Sequence, residues 1–215
     1  MLDNSSVATI EEFMEPTKPI RQVAAICVFC GSSPGADPAY MDAASTFGKF
    51  LAHQNITLVY GGGRVGLMGA IADAALAAGG NVIGVIPESL VAKEVAHQRL
   101  SDLRVVGSMH ERKALMADLA DAFVALPGGC GTFEEFLEVL TWAQLGLHQK
   151  PCALLNVAKY YDYLLALLDH AVQQRFIHPQ HRNMILVAET PQQAHQKILE
   201  YHPPNVPKWI DRKET

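Results

Sequence analysis

A chain of 215 residues suits one domain with a sizeable core, and a composition of 49% hydrophobic and 18% charged residues is that of an ordinary soluble globular protein. A net charge of −5 without any Lys/Arg block excludes a general nucleic-acid or membrane-surface binder. No run of about 18 uninterrupted apolar residues is present to span a bilayer. Any phosphate this chain holds must therefore be met by locally placed cations and backbone N–H groups.

Residues 1–20 carry Asp3, Glu11, Glu12 and Glu15 and lack a basic start followed by an apolar block. They read as a flexible tail and not as a secretory signal, which points to the cytoplasm. The first apolar run, QVAAICVFC (22–30), suits a strand buried on both faces. It contains a CxxC, Cys27 and Cys30, but strand geometry sends positions three apart to opposite faces. With no second CxxC and with Cys130 and Cys152 isolated, these are expected to be buried structural thiols and not a metal or redox pair.

Next come CGSSPGAD, a helical pattern YMDAASTFGKFLAH, and a second strand, ITLVYG (56–61). The loop GGGRVG follows, then the helix GLMGAIADAALAAGG with its glycine stop, and a third strand, NVIGVI (81–86). GGGRVG contains G-x-G-x-x-G at Gly61, Gly63 and Gly66. The acidic residue that a dinucleotide site wants about twenty positions on is absent from the strand there, since Glu88 follows a proline in a loop.

In SMHERKALMADLA (108–120), Ser108 and Glu111 form a capping box that starts a helix. On it Arg112 shares a stripe with Met109, Leu115, Met116 and Leu119. A cation there, near the helix start and against the dipole, calls for an anionic partner. A solvated arginine covering the core edge is the bland alternative, and Lys113 beside it can be read the same way.

The strand DAFVALP (121–127) runs into PGGCGT and the helix FEEFLEVLTWAQLGL, whose buried stripe is Phe133, Phe136, Leu137 and Leu140. Thr132 with Glu135 is itself a T-x-x-E capping box, so Glu135 can be read as a cap. Glu134, on a face with Glu138 and Thr141, is not explained that way. The strand PCALLN (151–156) and a helix over 160–174 complete the pattern. His178 and His181 read as part of a helix-linking loop, without a metal. YHPPNVPKWIDRKET reads as an extended C-terminal arm.

Strand–helix alternation implies a doubly wound, Rossmann-like α/β sheet. The boundaries are a tail over 1–20, one domain over 21–200 and an arm over 201–215. Ligands on such sheets bind at the carboxyl ends of the strands, where the three glycine loops fall. Glycine lets backbone N–H groups reach a phosphate at a helix N-terminus. Carboxylates one turn further on could then serve the sugar: one could bond a ribose hydroxyl while another faces the anomeric carbon.

MHERKALM followed by LPGGCGTFEEFLEVLTWAQLG strongly resembles the Lonely Guy family, which carries PGGxGTxxE after an upstream Arg-Lys pair. The likeness runs through VFCGSSPG, VYGGGRVGLMG, VIGVIP, KPCALLN and YYDYLLALLDHAVQQRFI, roughly residues 22 to 190. The resemblance implies a cytokinin riboside 5′-monophosphate phosphoribohydrolase, often active on AMP too, that forms a homodimer with its site near the interface and uses no cofactor. It implies Arg112 and Glu135 as catalytic. It places Glu94, Lys113, Gly128, Gly129, Cys130, Gly131, Thr132, Phe133, Glu134 and Thr141 on the nucleotide. Cys130 stands where tyrosine is common in plant members. The alternatives are a nucleotide-binding protein without turnover, or a pyridoxal-phosphate lysine decarboxylase as members were once labelled. The latter would need a lysine Schiff base, for which Lys113 is the one lysine inside a motif.

Overall fold

Runs with no polar alternation cannot leave a face to water, so they become strands covered on both sides. The computed structural model describes residues 21–91, 96–97, 99–100 and 102–204. Among these the five predicted runs supply β1 (Ala25–Phe29), β2 (Thr57–Tyr60), β3 (Val82–Pro87), β5 (Ala122–Ala125) and β6 (Cys152–Leu155). Two strands were not foreseen, β4 (Asp102–Val106) and β7 (Ile185–Ala188). All seven pair in parallel, in the order β4-β3-β2-β1-β5-β6-β7. PGGCGT therefore follows the fifth strand and not the fourth. β4 escaped notice because an edge strand needs no apolar run. Its Asp102 and Arg104 bond each other, and Val105 is exposed.

The helices are α1 (Pro38–His53), α2 (Gly66–Ala77), α3 (Glu88–Val91), α4 (Met109–Leu119), α5 (Cys130–Gln144), α6 (Asp162–Gln173), α7 (Pro179–Arg182) and α8 (Pro191–Leu199). On one side of the sheet, Phe47, Leu51, Leu67, Ile71 and Ile198 pack against Ile26, Val28, Leu58 and Val124. On the other, Met116, Phe136, Val139 and Leu168 pack against Cys27, Phe29, Phe123 and Leu154. Alternation along β1 thus sends Cys27 and Cys30 to different cores, as their spacing predicted. Both thiols are buried and held well above the ordinary range, chiefly by desolvation.

Three local readings are corrected. Glu88, expected in a loop, opens the short helix α3. His178 caps α7, a short helix where a loop was expected. α8 was overlooked although its signals were present, with Thr190 accepting from the Gln193 amide and a proline in the first turn. The tail and most of the arm lie outside the described residues.

Candidate active site

The chain order turns back between β1 and β5, and at such a switch point two loops leave the sheet in opposite directions and open a crevice. The loops after β1 and β5 are tied together here, with the Gly31 amide donating to the Pro127 carbonyl at 3.0 Å. The loop after β2 joins them, because the Leu67 amide at the start of α2 donates to the Gly31 carbonyl at 3.0 Å. A cleft of about 290 Å³ opens over this junction between Ser32, Tyr40, Gly128 and Tyr160. A larger cavity of about 690 Å³, near Lys197 and Tyr201, holds none of the motif residues.

α5 begins at Cys130, with Gly129 as its N-cap and no side chain capping it. The reading of Thr132 and Glu135 as a capping box is therefore overturned. Thr132 is buried inside the first turn, packed against Gly128, and Glu135 faces Arg112 instead. The helix started earlier than the pattern suggested because glycine serves as an N-cap without announcing it by a side chain. Its first N–H groups lack intrahelical acceptors, and a Cβ on Gly129 or Gly131 would meet nothing within 4 Å. An open, uncapped helix N-terminus of this kind favours an anion.

Two tyrosines hold the approach to it. Tyr161 Oη donates to the Leu126 carbonyl at 2.6 Å, and Tyr160 Oη donates to the Gly128 carbonyl. Sequence reading placed this pair only in a helix and missed its role as a brace. Phe133 packs against both rings.

Arg112 reaches from α4 to the strand ends. Its Nε donates to the Val85 carbonyl at 3.1 Å and its Nη1 to Glu135 Oε1 at 2.9 Å. Both side chains of this ion pair are 12% exposed. The anionic partner expected for Arg112 is thus in the protein, met through one nitrogen and not as a fork. The Ser108 cap is present, accepting from the Glu111 amide at 3.1 Å, while Glu111 reaches back to the Gly107 amide and not to Ser108.

Burial pushes the Glu135 carboxyl above its ordinary value, and Arg112 pulls it back only in part. Lys113 lies beside this pair and bridges Glu134 at 2.6 Å and Glu138 at 2.9 Å. These bonds, with Glu134 foremost, raise its own pKa. Thr141 spends its hydroxyl on the Leu137 carbonyl two turns along α5, away from the glycine loop. Cys130 is exposed at the helix start. Glu94 lies outside the described residues. Arg112, Glu135, Glu134 and Lys113 thus form one charged cluster on α4 and α5, with Gly128–Thr132 at the N-terminus of α5.

Residues 68–198 match the family described as "Possible lysine decarboxylase". Three named relatives cover most of the chain. A protein of Oryza sativa subsp. japonica, named "Probable cytokinin riboside 5′-monophosphate phosphoribohydrolase", is 55% identical over 83% of this chain and 78% of its own length. A cytokinin riboside 5′-monophosphate phosphoribohydrolase of Rhodococcoides fascians is 54% identical over 76% and 83%. One of Arabidopsis thaliana is 51% identical over 83% of each chain. Among solved structures, the molybdenum cofactor binding protein of Rippkaea orientalis superposes with a TM-score of 0.63 at 24% identity, covering 82% of this chain and 96% of its own. At that identity it shows a shared fold.

Proposed function

The chain belongs to the Lonely Guy family of cytokinin riboside 5′-monophosphate phosphoribohydrolases, and we propose that it hydrolyses the N-glycosidic bond of N6-modified adenosine 5′-monophosphates and of AMP. Water adds across the bond from the anomeric carbon to the base nitrogen. Its hydroxyl goes to the sugar and its proton to the base, leaving ribose 5-phosphate and free base. The observation that carries this reading is the Arg112–Glu135 pair, enclosed beside an uncapped helix N-terminus at the switch point.

The N-terminus of α5 takes the 5′-phosphate through its backbone amides, and the sugar lies toward the carboxylates. Cleavage passes through an oxocarbenium-like state, whose positive charge Glu135 stabilises or relieves by activating water. Arg112 fixes where that carboxylate points. Glu134, the more exposed of the two at 55%, bonds a ribose hydroxyl. Lys113 holds Glu134 and Glu138 in place.

A pyridoxal-phosphate decarboxylase fits these residues poorly. A Schiff-base lysine needs a neutral amine, whereas Lys113 is bound by two carboxylates that favour its charged form. The same proposal takes the chain as a cytoplasmic homodimer. Exposed Leu145 and Leu147, just past the C-terminal end of α5, support an interface, and among the described residues no helix is long and apolar enough to cross a membrane.

The test is a product assay over AMP, GMP, CMP and isopentenyladenosine monophosphate, with adenosine beside them. Adenosine is expected to be at least about a hundredfold poorer than AMP, since each charge-assisted contact to the phosphate contributes about 1.5–3 kcal/mol. Equal turnover of the two would remove the phosphate from the glycine loop. No free base from any nucleotide would leave a binding protein without turnover.

Acid should also switch the enzyme off early. Glu135 must be ionised to work, and its carboxyl lies above the ordinary 4.5. The acid limb of kcat/KM is therefore expected above that of an exposed glutamate. Over the same interval the folded chain keeps a proton that the unfolded chain has released, so this group's contribution to stability falls as pH rises through it. A limb at or below 4.5 would show that Glu135 is not the titrating group.

A further inference from the structure

Several glycines of the three loops are required by neighbouring main chain. A Cβ on Gly66 would strike the backbone of Ser32 and Ser33, and its φ of +58° is left-handed. One on Gly128 would lie 2.8 Å from the Gly31 amide nitrogen, and one on Gly69 would strike the backbone of Arg64. Substitution at any of these forces the main chain to move.

Gly61 is different. Its φ is not in the left-handed region, so its backbone would accept alanine. What stands in the path is Arg112, with Nη2 well inside contact distance of a Cβ there and Cζ at 3.2 Å. The next atom, Met68 Sδ at 3.6 Å, is in ordinary contact. The guanidinium is thus pressed against the Gly61 Cα while the Val85 carbonyl and Glu135 hold its other nitrogens.

We propose that Gly61 is a positioning residue for the hydrolytic reaction, its missing side chain being the seat that lets Arg112 hold Glu135 at the strand ends. This rests on the reading of Arg112 and Glu135 as the catalytic pair. A methyl group at 61 meets the far end of a flexible side chain, so the molecule relaxes by swinging the guanidinium aside and leaves the sheet where it is. Glu135 then loses both its orientation and its counter-charge.

A double-mutant cycle of Gly61→Ala and Arg112→Ala tests this, read in AMP turnover and in urea unfolding. Gly61→Ala alone is expected to stay folded and to lose about tenfold to a hundredfold in kcat/KM, the scale of a misplaced catalytic group. In the Arg112→Ala background the same change should alter kcat/KM by less than about twofold, a coupling that independent sites do not show. The urea midpoint should fall for Gly61→Ala in the presence of Arg112. It should hold or rise in its absence, because alanine restricts the unfolded chain. The acid limb of Gly61→Ala should also move further up, since Arg112 does more than Lys113 to lower the Glu135 carboxyl.

Wild-type turnover by Gly61→Ala, or equal fractional losses in both backgrounds beside a strongly impaired but measurable Arg112→Ala, would overturn the role of Gly61 alone. Turnover surviving Arg112→Ala would overturn the reading of the pair, and the catalytic role of its seat with it.

Discussion

Glu135→Gln is expected to lower turnover of AMP by about a hundredfold or more while the melting temperature moves by a few degrees at most. The change is isosteric. Glutamine keeps an oxygen to accept from Arg112 Nη1, which donates to Glu135 Oε1 at 2.9 Å across the ion pair. What disappears is a negative charge that burial already disfavours, so the lost attraction and the relieved desolvation oppose each other in stability. Neither offsets the loss in the reaction, where the positive charge developing at the anomeric carbon has no other carboxylate so enclosed. Glu134 lies one residue away but is 55% exposed and tied to Lys113. Glu134→Gln should therefore raise KM more than it lowers kcat, as expected for a contact to a ribose hydroxyl. A silent Glu135→Gln beside an inactive Glu134→Gln would move the chemistry one residue upstream.

Much of this site could be read along the chain because each part leaves a local mark. Short unbroken apolar runs identified the central strands, and glycine clusters after them marked the strand ends where the crevice opens. Ser108 announced α4, and the stripe through Leu115 and Met116 favoured an inward-facing Arg112 over a solvated one, although Met109 on the same stripe is exposed. What could not be read is what depends on distant parts of the chain meeting. Glu135 is separated from Arg112 by a whole strand and loop, and its local signature was that of a cap. Only the placement of α5 by the glycine N-cap turns it toward α4. The brace from Tyr160 and Tyr161 to the carbonyls of Gly128 and Leu126 spans more than thirty residues and looks, locally, like aromatic core. Glycine gave the opposite difficulty. Every glycine in GGGRVG suggested a turn or a phosphate, and nothing local showed that Gly61 is small for the sake of an arginine about fifty positions on.

Arg112→Lys is expected to lose most activity, about a hundredfold or more, while the protein stays folded. Charge is conserved in this change, so any loss reports on geometry. The guanidinium spreads its donors over a plane: Nε bonds the Val85 carbonyl at 3.1 Å, Nη1 bonds Glu135 at 2.9 Å and Nη2 lies over Gly61. A lysine ammonium is a compact point at the end of a flexible stem. It can follow Glu135 or stay by the Val85 carbonyl, but it cannot fix the carboxylate from a plane already anchored on β3 and against the end of β2. Misplacement of a catalytic group by about 1 Å suffices for a hundredfold loss. The folded state tolerates the change better, because a charge–charge contact to Glu135 survives in some form. Melting temperature and turnover should then separate, with a shift of a few degrees beside a large fall in kcat. Activity within about twofold of wild type would mean that Arg112 acts only as a charge near the core edge, a role that contributes about 1 kcal/mol or less and that lysine fills equally well.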